Sequence, residues 1–119
     1  MSMIYEQSSG ELTINGNFVG RGYSGRGIHR NKTTSEHIEN YGPLPRGRYS
    51  MIYIGHHKGP VNIRLKPMPE NQMYGRGLFL IHGDDRYNDA SEGCIILKLE
   101  IRKRIQQEIN AGNSILEVR

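Results

Sequence analysis

Between Leu78 and Leu97 the chain reads Leu-Phe-Leu-Ile-His-Gly-Asp-Asp-Arg-Tyr-Asn-Asp-Ala-Ser-Glu-Gly-Cys-Ile-Ile-Leu. An apolar run delivers His82 at its end and a polar loop follows. A second apolar run starts just after Ser91-Glu92-Gly93-Cys94. If the two runs are neighbouring strands, the imidazole and the thiol meet at one sheet edge. A thiol nucleophile needs that arrangement, because the thiolate is the reactive species and a nearby imidazole stabilises it. Gly93 lets the chain turn sharply and lets a substrate approach the backbone. The N–H groups around Gly93 and Cys94 are then candidates to face a developing oxyanion. Asp84, Asp85 and Asp89 are candidates to orient the imidazole through its other nitrogen. The competing reading is that a lone cysteine beside Ile-Ile-Leu is a small buried hydrophobe and that His82 merely closes a strand. The residues alone leave both readings open.

Short β-type runs separated by Gly and Pro must do the positioning. Ser2–Glu6 and Glu11–Ile14 read as strands, and Asn15-Gly16 predicts a type I′ hairpin turn into Asn17–Val19, because both residues tolerate positive φ. The N-terminal third is therefore expected to be a small meander. Gly20–Asn40 has few apolar residues and no period, which predicts a long loop with little regular structure, a kind usually tied to function. Gly42-Pro43-Leu44-Pro45-Arg46-Gly47 reads as a rigid turn. Arg48–Ile54, Val61–Leu65, Leu78–His82 and Ile95–Leu97 follow as strands. Ile101, Ile105 and Ile109 recur at i, i+4 and i+8, one face of a helix that Ala111-Gly112-Asn113 stops. Ser114–Val118 is a last strand. The expectation is a single, mainly β domain over residues 1–119 with one C-terminal helix.

Composition narrows the function classes. The chain has 119 residues, and its 15 glycines fit a small core wrapped in tight turns rather than a helical bundle. No apolar run approaches the roughly 18 residues that would span a membrane, so no membrane insertion is expected. No signal peptide is visible at Met1-Ser2-Met3-Ile4-Tyr5-Glu6. A single cysteine excludes an internal disulfide framework and a Cys-based zinc knuckle. His56 and His57 are adjacent and would point to opposite faces of a strand. His29 and His37 lie in the irregular loop, so no metal and no cofactor is expected and all four read as solvent-exposed. Sixteen basic against 12 acidic residues give a net charge of +4, which favours the approach of carboxylate-bearing peptides but is equally the footprint of a nucleic-acid binder. The one basic triplet, Arg102-Lys103-Arg104, reads as a solvated helix face. With no recognisable nucleic-acid-binding motif, nucleic acid is not an expected partner.

The segment His82-Gly83, then Ser91-Glu92-Gly93-Cys94-Ile95, resembles the signature of YkuD-type L,D-transpeptidases, and Gly112-Asn113-Ser114-Ile115-Leu116-Glu117-Val118 resembles that family's closing strand. The likeness is closer to the L,D-transpeptidase-like effector toxins of type VI secretion. Those chains also carry a glycine loop like Gly22-Tyr23-Ser24-Gly25-Arg26-Gly27 and a turn like Gly42-Pro43-Leu44-Pro45-Arg46-Gly47-Arg48-Tyr49. These motifs touch the chain from about residue 10 to its end.

The resemblance implies a β-sandwich or barrel of the L,D-transpeptidase catalytic type, with Cys94 as nucleophile and His82 as base. It implies that Ser91 and Gly93 shape the oxyanion site, that Asp84 orients His82, and that Tyr23 and Ser24 line the substrate cleft. The implied reaction is removal or exchange of the terminal D-Ala of peptidoglycan tetrapeptide stems. The implied setting is an effector acting in a target cell's periplasm, with a cognate immunity protein and a secretion machinery as further partners. Two residues depart from the wider family's pattern: Glu92 stands where it has His, and Ile95-Ile96 replace its Arg or Asn after the cysteine. The alternative is a non-catalytic, basic, β-rich binding module in which Cys94 is structural.

Overall fold

The computed structural model describes residues 2–55, 59–84 and 91–119. The chain opens with the expected meander: β1 (Met3–Tyr5), β2 (Glu11–Ile14) and β3 (Asn17–Arg21) pair antiparallel in turn. Asn15 and Gly16 both adopt positive φ, 52° and 82°, as the turn chemistry predicts. Further along come β5 (Gly47–Gly55), β6 (Asn62–Pro67) and β7 (Phe79–His82), then β8 (Ile95–Ile96), the helix α1 (Leu99–Asn110) and β9 (Ile115–Val118).

Gly20–Asn40 is more ordered than its composition suggests. Gly20 and Arg21 extend β3, Tyr23–Ser24 form a two-residue strand, β4, and 3-10 turns cover Gly27–His29 and Thr33–Ser35. A two-residue strand leaves no period to read, and its partner, β8, is far downstream, with Ser24 paired to Ile95 and Tyr23 to Ile96.

All nine strands join one sheet in the order β3-β2-β1-β9-β5-β6-β7-β8-β4. Its two edge strands, β3 and β4, are separated in the chain by Gly22 alone, so the sheet curls until its edges nearly meet. The result is a mainly β near-barrel with one C-terminal helix packed on it. Gly22 is required at that crossing, since a Cβ there would run into the carbonyl of Ile96. Strand alternation sends Tyr49, Met51, Ile63, Leu65, Phe79, Ile81, Ile95 and Leu116 into one core. Ile105 of α1 is fully buried against it, flanked by the half-buried Ile101 and Ile109. The helical face therefore lies where the i, i+4, i+8 spacing puts it.

The basic triplet divides. Lys103 and Arg104 are exposed, but Arg102 is buried, with one guanidinium nitrogen donating to the carbonyl of Pro60 at 2.8 Å. Burial disfavours its charge and lowers its pKa. Position 102 follows Ile101 and precedes Ile105, so it falls on the flank of the apolar stripe.

The long loop is pinned by Glu36, a buried carboxylate. It accepts hydrogen bonds from Gln7 Nε2 at 2.9 Å, from the Arg46 guanidinium at 3.0 and 3.2 Å, and from the Arg46 amide at 3.2 Å. Burial pushes the Glu36 carboxyl up, but the bonds from Arg46 and Gln7 outweigh it and hold the group below its ordinary 4.5. A folded-state pKa below the unfolded one contributes stability above the unfolded value, and that stability is lost as pH falls through the folded value. The melting temperature is therefore expected to decline below about pH 4.5, and Glu36→Gln should flatten that decline. Parallel acid slopes in the two proteins would refute this assignment.

Candidate active site

The pairing of β6, β7 and β8 decides which side chains share a face. Arg64 pairs with Leu80, and Ile81 and His82 pair in parallel with Ile95 and Ile96. Extending that register one residue back sets Cys94 beside Leu80. Ile63, Ile81 and Ile95 point into the core, so Arg64, Leu80, His82 and Cys94 project from the opposite face. There they line one cleft of about 580 Å³ together with Ile54 and Glu92. His82 lies on the strand next to Cys94, two residues along from Leu80, the register neighbour of Cys94. At a spacing of about 4.8 Å and a rise of about 3.3 Å per residue, their backbones are roughly 8 Å apart, a gap an imidazole and a thiol can span between them.

Each group has a defined setting. Nδ1 of the buried His82 lies 2.8 Å from the carbonyl oxygen of Gly83. A carbonyl only accepts, so Nδ1 carries the proton and Nε2 is the basic nitrogen. The Gly83 carbonyl is thus one acceptor that can hold the ring, of a kind no side chain in the sequence announces. Of the candidate carboxylates, Asp84 is exposed and accepts a hydrogen bond from the Tyr23 hydroxyl at 2.6 Å; Asp85 and Asp89 lie outside the described residues. The half-buried Cys94 Sγ accepts the Leu80 N–H at 3.4 Å, a contact that favours negative charge on sulfur.

Ser91 and Ser24 hold the walls. Fully buried, Ser91 Oγ donates to the Cys94 carbonyl at 2.6 Å and accepts from the amides of Gly25 (2.8 Å) and Gly93 (3.1 Å). Ser24, also fully buried, donates to the Gly93 carbonyl at 3.0 Å and accepts from the Leu44 amide at 2.7 Å. The two serines therefore tie the glycine loop and the Pro turn to the cysteine loop, and both lie away from the cleft. Tyr23 is also outside it. Its ring, in a second hollow, is covered by the Arg30 guanidinium at 3.8 Å. Gly93 has φ +116°, and a Cβ there would come within 2.5 Å of Arg76 and 2.6 Å of the Phe79 ring. Its amide is engaged with Ser91, so an oxyanion would need donors other than this one. Replacing Ser91 by Ala is expected to cost about 2–3 kcal/mol by orphaning buried partners. Urea denaturation checks this, and a cost below about 0.5 kcal/mol would contradict it.

One residue near the site has no sequence signal. Arg76, between Gly75 and Gly77, reads as a loop cation, yet it is buried against the Phe79 ring and donates to backbone carbonyls of Glu36, Gly42, Pro43 and Glu92. Burial lowers its pKa, while Tyr49, Glu39 and Cys94 favour its charge. Coulomb attraction is mutual, so the Arg76 charge in turn favours the thiolate. Glu92, the departure from the resembled pattern, lies 3.6 Å from Arg26 in an exposed ion pair.

His37 is exposed, while His29 is half-buried with Nδ1 2.8 Å from Ser35 Oγ; His56 and His57 lie outside the described residues. Among the described residues no three His, Cys, Asp or Glu side chains are grouped to hold a metal ion. No helix there is long and apolar enough to cross a membrane. The family model for the Tlde1 domain matches residues 19–116, from β3 into β9. No curated protein and no solved structure matches the chain.

Proposed function

Because the chain belongs to the Tlde1 domain family, we propose that it is a cysteine-dependent L,D-transpeptidase and L,D-carboxypeptidase acting on peptidoglycan tetrapeptide stems. The observation that carries this reading is that His82 and Cys94 line one cleft from the same face of adjacent parallel strands. His82 Nε2 takes the Cys94 thiol proton, and the thiolate adds to the carbonyl that joins the L-centre of diaminopimelate to the terminal D-Ala. The C–N bond then breaks, and His82 delivers a proton from Nε2 to the departing amine. The product is a thioester on Cys94. Water attacks it as His82 takes a proton back, the C–S bond breaks, and a tripeptide leaves. A D-amino acid attacking instead gives an exchanged tetrapeptide, and a second stem gives a cross-link.

In this reading Ser91, Ser24 and Gly93 fix the cysteine loop, and Tyr23 with Asp84 borders the histidine end. The protein is delivered as an effector to another cell's periplasm, where removing or exchanging D-Ala weakens the wall, and its producer holds an immunity protein against it. Tetrapeptide stems incubated with the protein, with and without D-Met, test the chemistry. Loss of D-Ala or its replacement by D-Met is expected, with rapid alkylation of Cys94 in the native fold. Unchanged stems from folded protein, with a thiol that reacts only after unfolding, would overturn the proposal in favour of a binding module.

A further inference from the structure

Arg64 stands at the middle of β6 with its side chain exposed, in register with Ile52 on one neighbouring strand and Leu80 on the other. Leu80 is the register neighbour of Cys94, so Arg64 is two strands across from the thiol, on the same face and in the same cleft. Two strand spacings put their backbones about 10 Å apart. An extended arginine covers over half of that gap, and what remains is close to the length of one residue, about 3.8 Å.

The residue is also uncommitted. Arg21, Arg26, Arg46 and Arg119 pair with carboxylates, and Arg76 and Arg102 donate to carbonyls. Among the described residues the Arg64 side chain has no ion pair and no hydrogen bond. Its surroundings bear on what it can do. Ile54 and Leu80 line the same cleft as apolar neighbours, and the cleft's acidic side chains, Glu39 and Glu92, form no ion pair with it. Those acids repel an anion placed near them, so Arg64 is the cleft position where an anion gains most.

From this placement we infer that Arg64 is the specificity-determining residue of the cleft, reading a carboxylate carried by the acyl donor about one residue from the carbonyl that Cys94 attacks. The inference rests on the proposed function and names what it selects: a peptide with a free acid beside the scissile bond. In a tetrapeptide stem that acid is either the terminal D-Ala carboxylate or the side-chain carboxylate of diaminopimelate.

Three peptides separate these sources: the free tetrapeptide, its terminal amide, and the peptide amidated on the diaminopimelate side chain. Wild type, Arg64→Gln and Arg64→Lys are compared on each, after thermal melts show equal folding. On the free peptide Arg64→Gln should lower kcat/KM about tenfold to a hundredfold, mainly through KM, and Arg64→Lys should recover part of it. On one amide, wild type should fall by the same factor and Arg64→Gln should add no further loss; that amide identifies the carboxylate. Unchanged kcat/KM for Arg64→Gln, or the same loss on all three peptides, overturns the inference. If wild type turns over none of them, the enzymatic reading fails by itself. Calorimetric binding of the free peptide to Cys94→Ala and to Cys94→Ala/Arg64→Gln then decides about Arg64. Tighter binding with arginine present supports it, and equal or absent binding overturns it.

Discussion

Cys94→Ala is expected to lower D-Ala release from a tetrapeptide stem at least about a thousandfold, to a rate indistinguishable from peptide alone. The size follows from the chemistry. Without the thiol no acyl-enzyme forms, and water must attack an unactivated amide. The fold should hardly notice: Sγ is half-buried and the hydrogen bond it accepts from the Leu80 amide is long, 3.4 Å, so the stability change should stay at about 1 kcal/mol, the size of one ordinary hydrogen bond. Cys94→Ser should be equally inactive, since a hydroxyl beside one imidazole is far harder to ionise than a thiol. His82→Gln should retain more, losing about 10²- to 10⁴-fold, because it removes proton transfer and leaves the nucleophile. The readout is single-turnover release of D-Ala with melting temperatures measured in parallel. Near-wild-type release by folded Cys94→Ala would end the nucleophile assignment.

Arg76→Met is the second large effect, and it is a stability effect. One guanidinium nitrogen donates to the carbonyls of Glu36 and Pro43 at 2.6 and 2.9 Å, and the other to those of Gly42 and Glu92 at 3.0 and 3.4 Å. Methionine offers no donor to any of the four. Orphaning them is expected to cost about 3–5 kcal/mol, a large share of the roughly 5–15 kcal/mol that holds a domain folded. Lysine should rescue little, because a point charge cannot reproduce a planar fork spread over four acceptors. Activity should fall as well, since the Glu92 carbonyl is two residues from Cys94. Urea denaturation gives the number; a cost under about 1 kcal/mol would show that water replaces the guanidinium.

What could be read beforehand follows from how local each cause is. The Asn15-Gly16 turn, the isoleucine face of α1 and the apolar runs ending at His82 and beginning at Ile95 are carried by neighbours in sequence, and all appear where expected. The adjacency of the strands that bring His82 and Cys94 to one cleft was legible for the same reason: two apolar runs bracketing one loop can hardly do other than lie close. Arg76, Arg102 and β4 were not legible. Each is defined by a partner far along the chain: Pro43 for Arg76, Pro60 for Arg102, β8 for β4. An arginine between two glycines looks identical whether it meets solvent or four carbonyls. The orienting group for His82 was hidden differently. A backbone carbonyl has no letter in the sequence, so only side-chain acceptors could be offered, and the Gly83 carbonyl that meets Nδ1 was not among them.

The position of β9 has a consequence for how such a chain comes into being. Leu116 and its neighbours lie between β1, which they meet in parallel, and β5, which they meet antiparallel. A chain growing from its N-terminus can form the β1–β3 meander early and β5–β8 later, but the two halves have no shared ladder until Val118 has emerged. The closing contacts are then the longest in sequence, Ile4 with Glu117 and Tyr5 with Val118, the kind whose loop-closure cost slows folding most. Translation past β8 alone therefore leaves two half-sheets tied only through the short β4–β8 pairing, and the gap between β1 and β5 is filled only as the last strand slides in.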